Sequence, residues 1–181
     1  MTAPAIPPRP PLAELQRKAE WMALLTLAVG LHALEAALPG LGPWFKPGLA
    51  NVMTLLALYL MGPRAAFALV VARVALGAAL IGTLFTPTFV MSLAGALAAG
   101  AVMLAAARLI PGIGPAGVSL LGALAHMLAQ FVTVEALFIQ QPAIYYLLPP
   151  LLLLAAITGW INGALADYLL DALRARRHAP A

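Results

Sequence analysis

Few side chains in this sequence can do chemistry, and most of them fall inside apolar runs. His32 and Glu35 stand three residues apart, which places them on one helical face. Asn51 follows a Pro47-Gly48 pair at the start of a short apolar stretch. Arg73 lies in the middle of another, sharing a helical face with Ala66 and Gly77. His126 and Gln130 are four apart, and Glu135 follows shortly after. An ionisable group within a membrane span costs about 2.5–3.5 kcal/mol on insertion scales, so each of these needs a partner or a ligand.

The candidate binding residues are therefore Asn51, Glu35, His32, Arg73, Gln130 and Glu135. Arg73 has two readings: it pairs with Glu135 or Gln130 to hold helices together, or it is the cation of a binding pocket. His126 reads as a hydrogen-bonded packing residue. His32-x-x-Glu35 has metal-compatible spacing, but two groups do not make a site, so no metal and no cofactor is expected. Asn162 and Asp167 fall toward the other end of the last apolar run.

Catalysis finds little support. The sequence has no Gly-x-Ser-x-Gly, no His-Glu-x-x-His, no P-loop and no Gly-x-Gly-x-x-Gly. In "DYLLD", Asp167 and Asp171 are one helical turn apart beside Arg174, which a charged helix end explains. The chain is not expected to be an enzyme or to hydrolyse ATP unaided.

The elements that must position these residues are membrane helices. Of 181 residues, 64% are hydrophobic and 9% charged, with a mean hydropathy of +0.99, whereas soluble domains are about a quarter charged. The basic balance comes from a few asymmetrically placed charges and does not point to nucleic acid. Cysteine is absent, which excludes disulfides and thiolate metal sites. Six apolar segments, about 21–38, 49–62, 65–84, 88–109, 116–139 and 145–170, are separated by breakers such as "PGLGPWFKPG", "GPR" and "IPGIGP". The expected fold is an all-α integral membrane protein with six transmembrane helices in residues 19–173. A proline-rich, disordered cytoplasmic tail (1–18) precedes them and a basic cytoplasmic tail (174–181) follows. Small residues, as in Gly159-x-x-x-Gly163, suit close helix packing.

The second segment tests this count. Its 13 residues, Leu49–Met61, reach only about 20 Å at about 1.5 Å each, against roughly 30 Å of hydrocarbon. Charge decides that it crosses. With six crossings and both termini inside, eight of the ten Lys and Arg residues are cytoplasmic, with Lys46 outside and Arg73 within a span. Without that crossing, three would stay inside and six would lie outside. The missing length must come from "WFKPG" entering the outer membrane region. The second helix thus starts below the outer surface, with free N–H groups that suit a carboxylate or phosphate oxygen. Counting from the outer ends puts His32, Glu35, Asn51 and Glu135 in the outer third, with Gln130 and Arg73 near mid-membrane. This is the distribution of a pocket loaded from outside.

"KPGLANVMTLLALYLMGPRAAFALVVARVALGAALIGTLF" resembles the Gx transporter family, also labelled heptaprenyl diphosphate synthase component I. The likeness covers about residues 20–170 and is most specific at "PGLANVMTLLALYLMGPR" and "ARVALGAALIG". Members commonly carry Leu-Gly-Leu-Ala-Asn where this chain has Pro47-Gly48-Leu49-Ala50-Asn51, and Glu35 upstream of a Pro/Gly loop also fits. The resemblance implies a six-helix bundle similar to the S components of energy-coupling-factor transporters. Such proteins bind a small nutrient near the outer face and rely on separate membrane and ATPase subunits. The expected function is capture of an anionic or prenyl-bearing small molecule by a transport subunit in the cell membrane. The alternatives are a non-catalytic membrane partner of isoprenoid synthesis, and a carrier acting alone with Glu35 and Glu135 titrating.

Overall fold

The computed structural model describes residues 11–37 and 48–178. It is all-helical over that range: α1 (Leu12–Ala37), α2 (Leu49–Met61), α3 (Pro63–Leu80), α4 (Pro87–Leu109), α5 (Pro115–Leu137), a 3-10 turn (Pro142–Leu147) and α6 (Leu148–His178). Apart from α2, with 13 residues, every α-helix is long and apolar enough to cross a bilayer. The protein is a multi-pass membrane protein.

The breakers set the helix starts. Pro63, Pro87 and Pro115 are each the first residue of their helix, where a missing N–H costs nothing. Gly62 alone joins α2 to α3, with φ 91°, a backbone conformation that a side chain would strain.

Two boundaries differ from the sequence expectation. Residues 12–18 are not part of a disordered tail; they form the first turns of α1. Glu14 and Lys18 pair across one turn at 2.7 Å, and Arg17 Nη2 donates to the Met61 carbonyl at 2.9 Å. Likewise α6 continues to His178, so residues 174–178 extend the last helix rather than form a separate tail, with Asp171 and Arg174 3.8 Å apart on its surface. Residues 1–10 and 179–181 lie outside the described residues. So does the segment 38–47, where "WFKPG" was expected to enter the membrane.

Because lipid is as apolar as a leucine side chain, apolar burial alone does not hold such helices together; close backbone approach does. The glycines show where that occurs. A Cβ on Gly122 would lie 2.6 Å from Met103 Cγ, which fixes α5 against α4. On Gly163 it would lie 2.5 Å from Ala116 Cα, and on Gly159 2.6 Å from Ala123 Cβ, which fixes α6 against α5. The helices α3, α4, α5 and α6 pack as successive antiparallel neighbours.

Helix α2 takes the centre. Every residue from Ala50 to Ala57 is buried, enclosed by α1, α3 and α6. At one end α1 and α2 meet at Arg17 and Met61, and at the other at Glu35 and Leu49. The start of α2 is recessed. Beyond the level where its first turn meets Arg73, α3 continues for seven more residues to Leu80, or roughly 10 Å.

Candidate functional site

The recessed start of α2 organises the polar residues. Gly48 precedes the helix in the left-handed region (φ 76°, ψ 21°) and offers no side-chain cap. A Cβ there would meet Asn162 Nδ2 at 3.3 Å and Asn51 Nδ2 at 3.4 Å, so a larger residue would be both strained and crowded. The missing cap comes from another helix: the Leu49 N–H donates to Glu35 Oε1 of α1 at 2.5 Å. A carboxylate at a helix N-terminus is favoured by the free N–H groups and by the helix dipole. The sequence suggested N–H groups awaiting an anion, and the protein supplies one itself.

One turn further, Asn51 Oδ1 accepts a hydrogen bond from Arg73 Nη2 at 2.6 Å. Arg73 is only 4% exposed, and its Nε–H has no hydrogen-bond acceptor among the described residues. The helix-pairing reading of Arg73 is thus corrected in its partner, which is Asn51 rather than Glu135 or Gln130. Small residues make the approach possible. A Cβ on Gly77 would lie 2.5 Å from His32 Cδ2, so α3 can bring Arg73 close to α1 only because position 77 is bare. Gly95 does the same for α4 and α5, where a Cβ would lie 2.8 Å from both His126 Cε1 and Gln130 Cγ.

These contacts border a partly open cavity of about 50 Å³ with polar groups on an otherwise apolar wall, room for a few water-sized groups. His32, Glu35, Asn51 and Arg73 line it as expected. Gln130 is buried against Gly95 without lining the cavity, and Glu135 is half-buried and also lies off its walls. His126, expected as a packing residue, reaches the wall. Ser92 from α4 and Thr158 from α6 complete the polar lining. Neither hydroxyl is conspicuous in the sequence, because a single Ser or Thr in an apolar helix most often bonds its own backbone, as Thr158 does to Leu154 at 3.0 Å. No group of three or more His, Asp or Glu side chains suited to a metal occurs among the described residues. What the cavity offers is recognition: a guanidinium, a carboxylate engaged at a helix start, two imidazoles and two hydroxyls.

Residues 24–169 match the family described as heptaprenyl diphosphate synthase component I. The chain belongs to that family. The matched region contains every residue that lines the cavity, from His32 to Thr158. No curated protein and no solved structure matches the chain. Within the synthase, component I is a non-catalytic component.

Proposed function

We propose that this component I family member is the ligand-capturing subunit of a membrane transport system. The observation that carries this reading is the cavity at the recessed start of α2, where the polar side chains of Glu35, Asn51 and Arg73 meet at intermediate depth. Irregular backbone and buried charge at that depth are tolerated where they border a binding site. His32 contributes to the same wall, while Gln130 and Glu135 act from behind and beside it. The cavity end of the bundle faces outward and both termini are cytoplasmic in the plasma membrane, a reading supported by the distribution of Lys and Arg. Among the described residues nothing couples energy to movement, so translocation depends on partner membrane and ATPase subunits.

The test is to purify the protein in native lipid and identify retained small molecules by mass spectrometry, then to measure uptake of the same compound in cells. Retention by the wild type and loss in Arg73→Leu, with accumulation in cells, supports the proposal. A retained compound that is never taken up would remove transport. Reporter fusions at Ala3 and Ala181 test the orientation: both should report the cytoplasm.

The family description favours a second reading, in which the chain is the membrane partner of a soluble prenyl synthase subunit. Its exposed Arg64, Arg108 and Arg174 would form the docking face. Co-purification with a catalytic synthase subunit, lost on reversing those three charges, would favour it.

A further inference from the structure

The cavity's charges are unequal in their commitments. Glu35 is occupied at the start of α2, where it accepts from the Leu49 N–H. Among the described residues Arg73 has one hydrogen bond, to a neutral amide oxygen, and a buried Nε–H with no acceptor. A guanidinium is always charged and seeks planar oxygen acceptors, so a buried, part-satisfied one on a cavity wall is an anion receptor. Resting on the ligand-capture reading above, we propose that the ligand's recognised group is a monoanionic carboxylate, held against the Arg73 guanidinium, with the rest of the group against Ser92, His126 and Thr158.

The same observations disfavour a diphosphate head. The cavity holds one guanidinium and one carboxylate, so each negative charge beyond the first would face Glu35 with no further guanidinium to meet it. A volume of about 50 Å³ also suits a carboxyl group better than a diphosphate with a prenyl chain.

The experiment uses the full chain in lipid nanodiscs and measures thermal stability and binding heat with straight-chain monocarboxylic acids of increasing length. Each acid is matched to its primary amide, with inorganic phosphate and inorganic diphosphate as further probes. At least one acid should bind and stabilise, its amide should bind roughly tenfold more weakly or worse, and Arg73→Gln should lose about the same factor, equivalent to about 1.4 kcal/mol. Glu35→Gln keeps an acceptor for Leu49 but removes the negative charge, so it should improve phosphate binding relative to the acid. If Arg73→Gln does not fold, Arg73→Lys replaces it: the charge stays, the Nε–H is lost, and acid binding should still weaken. Equal binding of acid and amide, diphosphate binding tighter than any acid, acid binding indifferent to both Arg73 changes, or no acid binding at all would each overturn the proposal. Uptake is scored separately. Uptake without acid binding would remove the carboxylate and leave transport standing; acid binding without uptake would do the reverse.

Discussion

The two halves of this bundle are held together by different means. Among α4, α5 and α6 the closest approaches come at bare glycines, while Thr133 and Thr158 bond within their own helices, to Ala129 and Leu154. Among α1, α2 and α3 four side-chain bonds cross between helices: Arg17 to Met61, Trp21 to Ala65, Glu35 to Leu49 and Arg73 to Asn51. Glycine packing depends on shape alone and has no alternative partner. Polar cross-links can exchange partners, with water, with each other or with a ligand. The α4–α6 half rests on shape and adds only hydroxyl and imidazole groups to the cavity wall, whereas the polar cross-links of the α1–α3 half are where a ligand can compete.

If that contrast holds, the largest effect should come from filling a glycine contact that faces backbone. Gly163→Ala would set a methyl group 2.5 Å from Ala116 Cα and 3.0 Å from the Pro115 carbonyl, neither of which can rotate away. Overpacking of this kind costs about 1–3 kcal/mol, and here the upper end is expected, measured by unfolding in mixed micelles. Gly122→Ala is the control. Its new methyl would meet Met103 Cε at 2.4 Å and Cγ at 2.6 Å, atoms of a flexible side chain that can repack, so the cost should be clearly smaller. Equal losses would mean that the α4–α6 half is not specified by backbone approach.

Next in size is Asn51→Leu. Volume is kept, but the buried Arg73 loses its acceptor. An orphaned buried polar group costs about 1–3 kcal/mol, more for a charged one, so stability and ligand binding should fall together. The double variant Asn51→Leu, Arg73→Leu should recover much of the stability and none of the binding, because no charge is then left without a partner. Recovery of binding would place the ligand away from this network.

Much of this arrangement is legible in the sequence, and the gaps have physical causes. The short second helix, its recessed start and the polar residues His32, Glu35, Asn51 and Arg73 follow from apolar run lengths and insertion cost. The partner choices do not. Glu35 bonds a main-chain N–H, and every residue except proline carries one, so nothing in the sequence marks Leu49 as its partner beyond a capless Gly48 before it. Arg73 finds Asn51 rather than Gln130 because Gly77 lets α3 close onto α1, a matter of helix rotation that equal depth cannot reveal. Leu12–Lys18 reads as tail because prolines precede it, yet the Glu14–Lys18 pair and the Arg17 bond to Met61 carry the helix back to Leu12.

A smaller effect is expected at the helix start itself. Glu35→Ala removes a side chain that caps α2, a loss of typically about 1 kcal/mol. Glu35→Gln should cost much less, since an amide oxygen can still accept from Leu49. The two variants separate the hydrogen bond from the charge, and a loss in Glu35→Gln as large as in Glu35→Ala would show that charge, through Arg73 and the helix dipole, dominates.

The smallest effect lies at the far end of the same three helices. Trp21 Nε1 donates to the Ala65 carbonyl at 3.0 Å, tying α1 to the first turn of α3. Trp21→Phe keeps an aromatic ring against the core and removes only that donor. The Ala65 carbonyl is also positioned for the helix's own hydrogen bonding, and the residue is only partly buried, so water or headgroups can replace the indole. Interhelical side-chain bonds in membrane proteins average about 0.6 kcal/mol, and a bond this replaceable should give no more than that. Ligand affinity should not change, because the cavity lies at Glu35, about four helical turns along α1 from Trp21, and is walled by different residues. The comparison of the two halves sharpens here: of the four cross-links, the two at the cavity should move binding and the two at the Arg17 end should move only stability. A Trp21→Phe variant with normal unfolding but weakened ligand binding would show that α1 transmits strain along its length, and the polar half would then be one coupled unit rather than a set of separate ties.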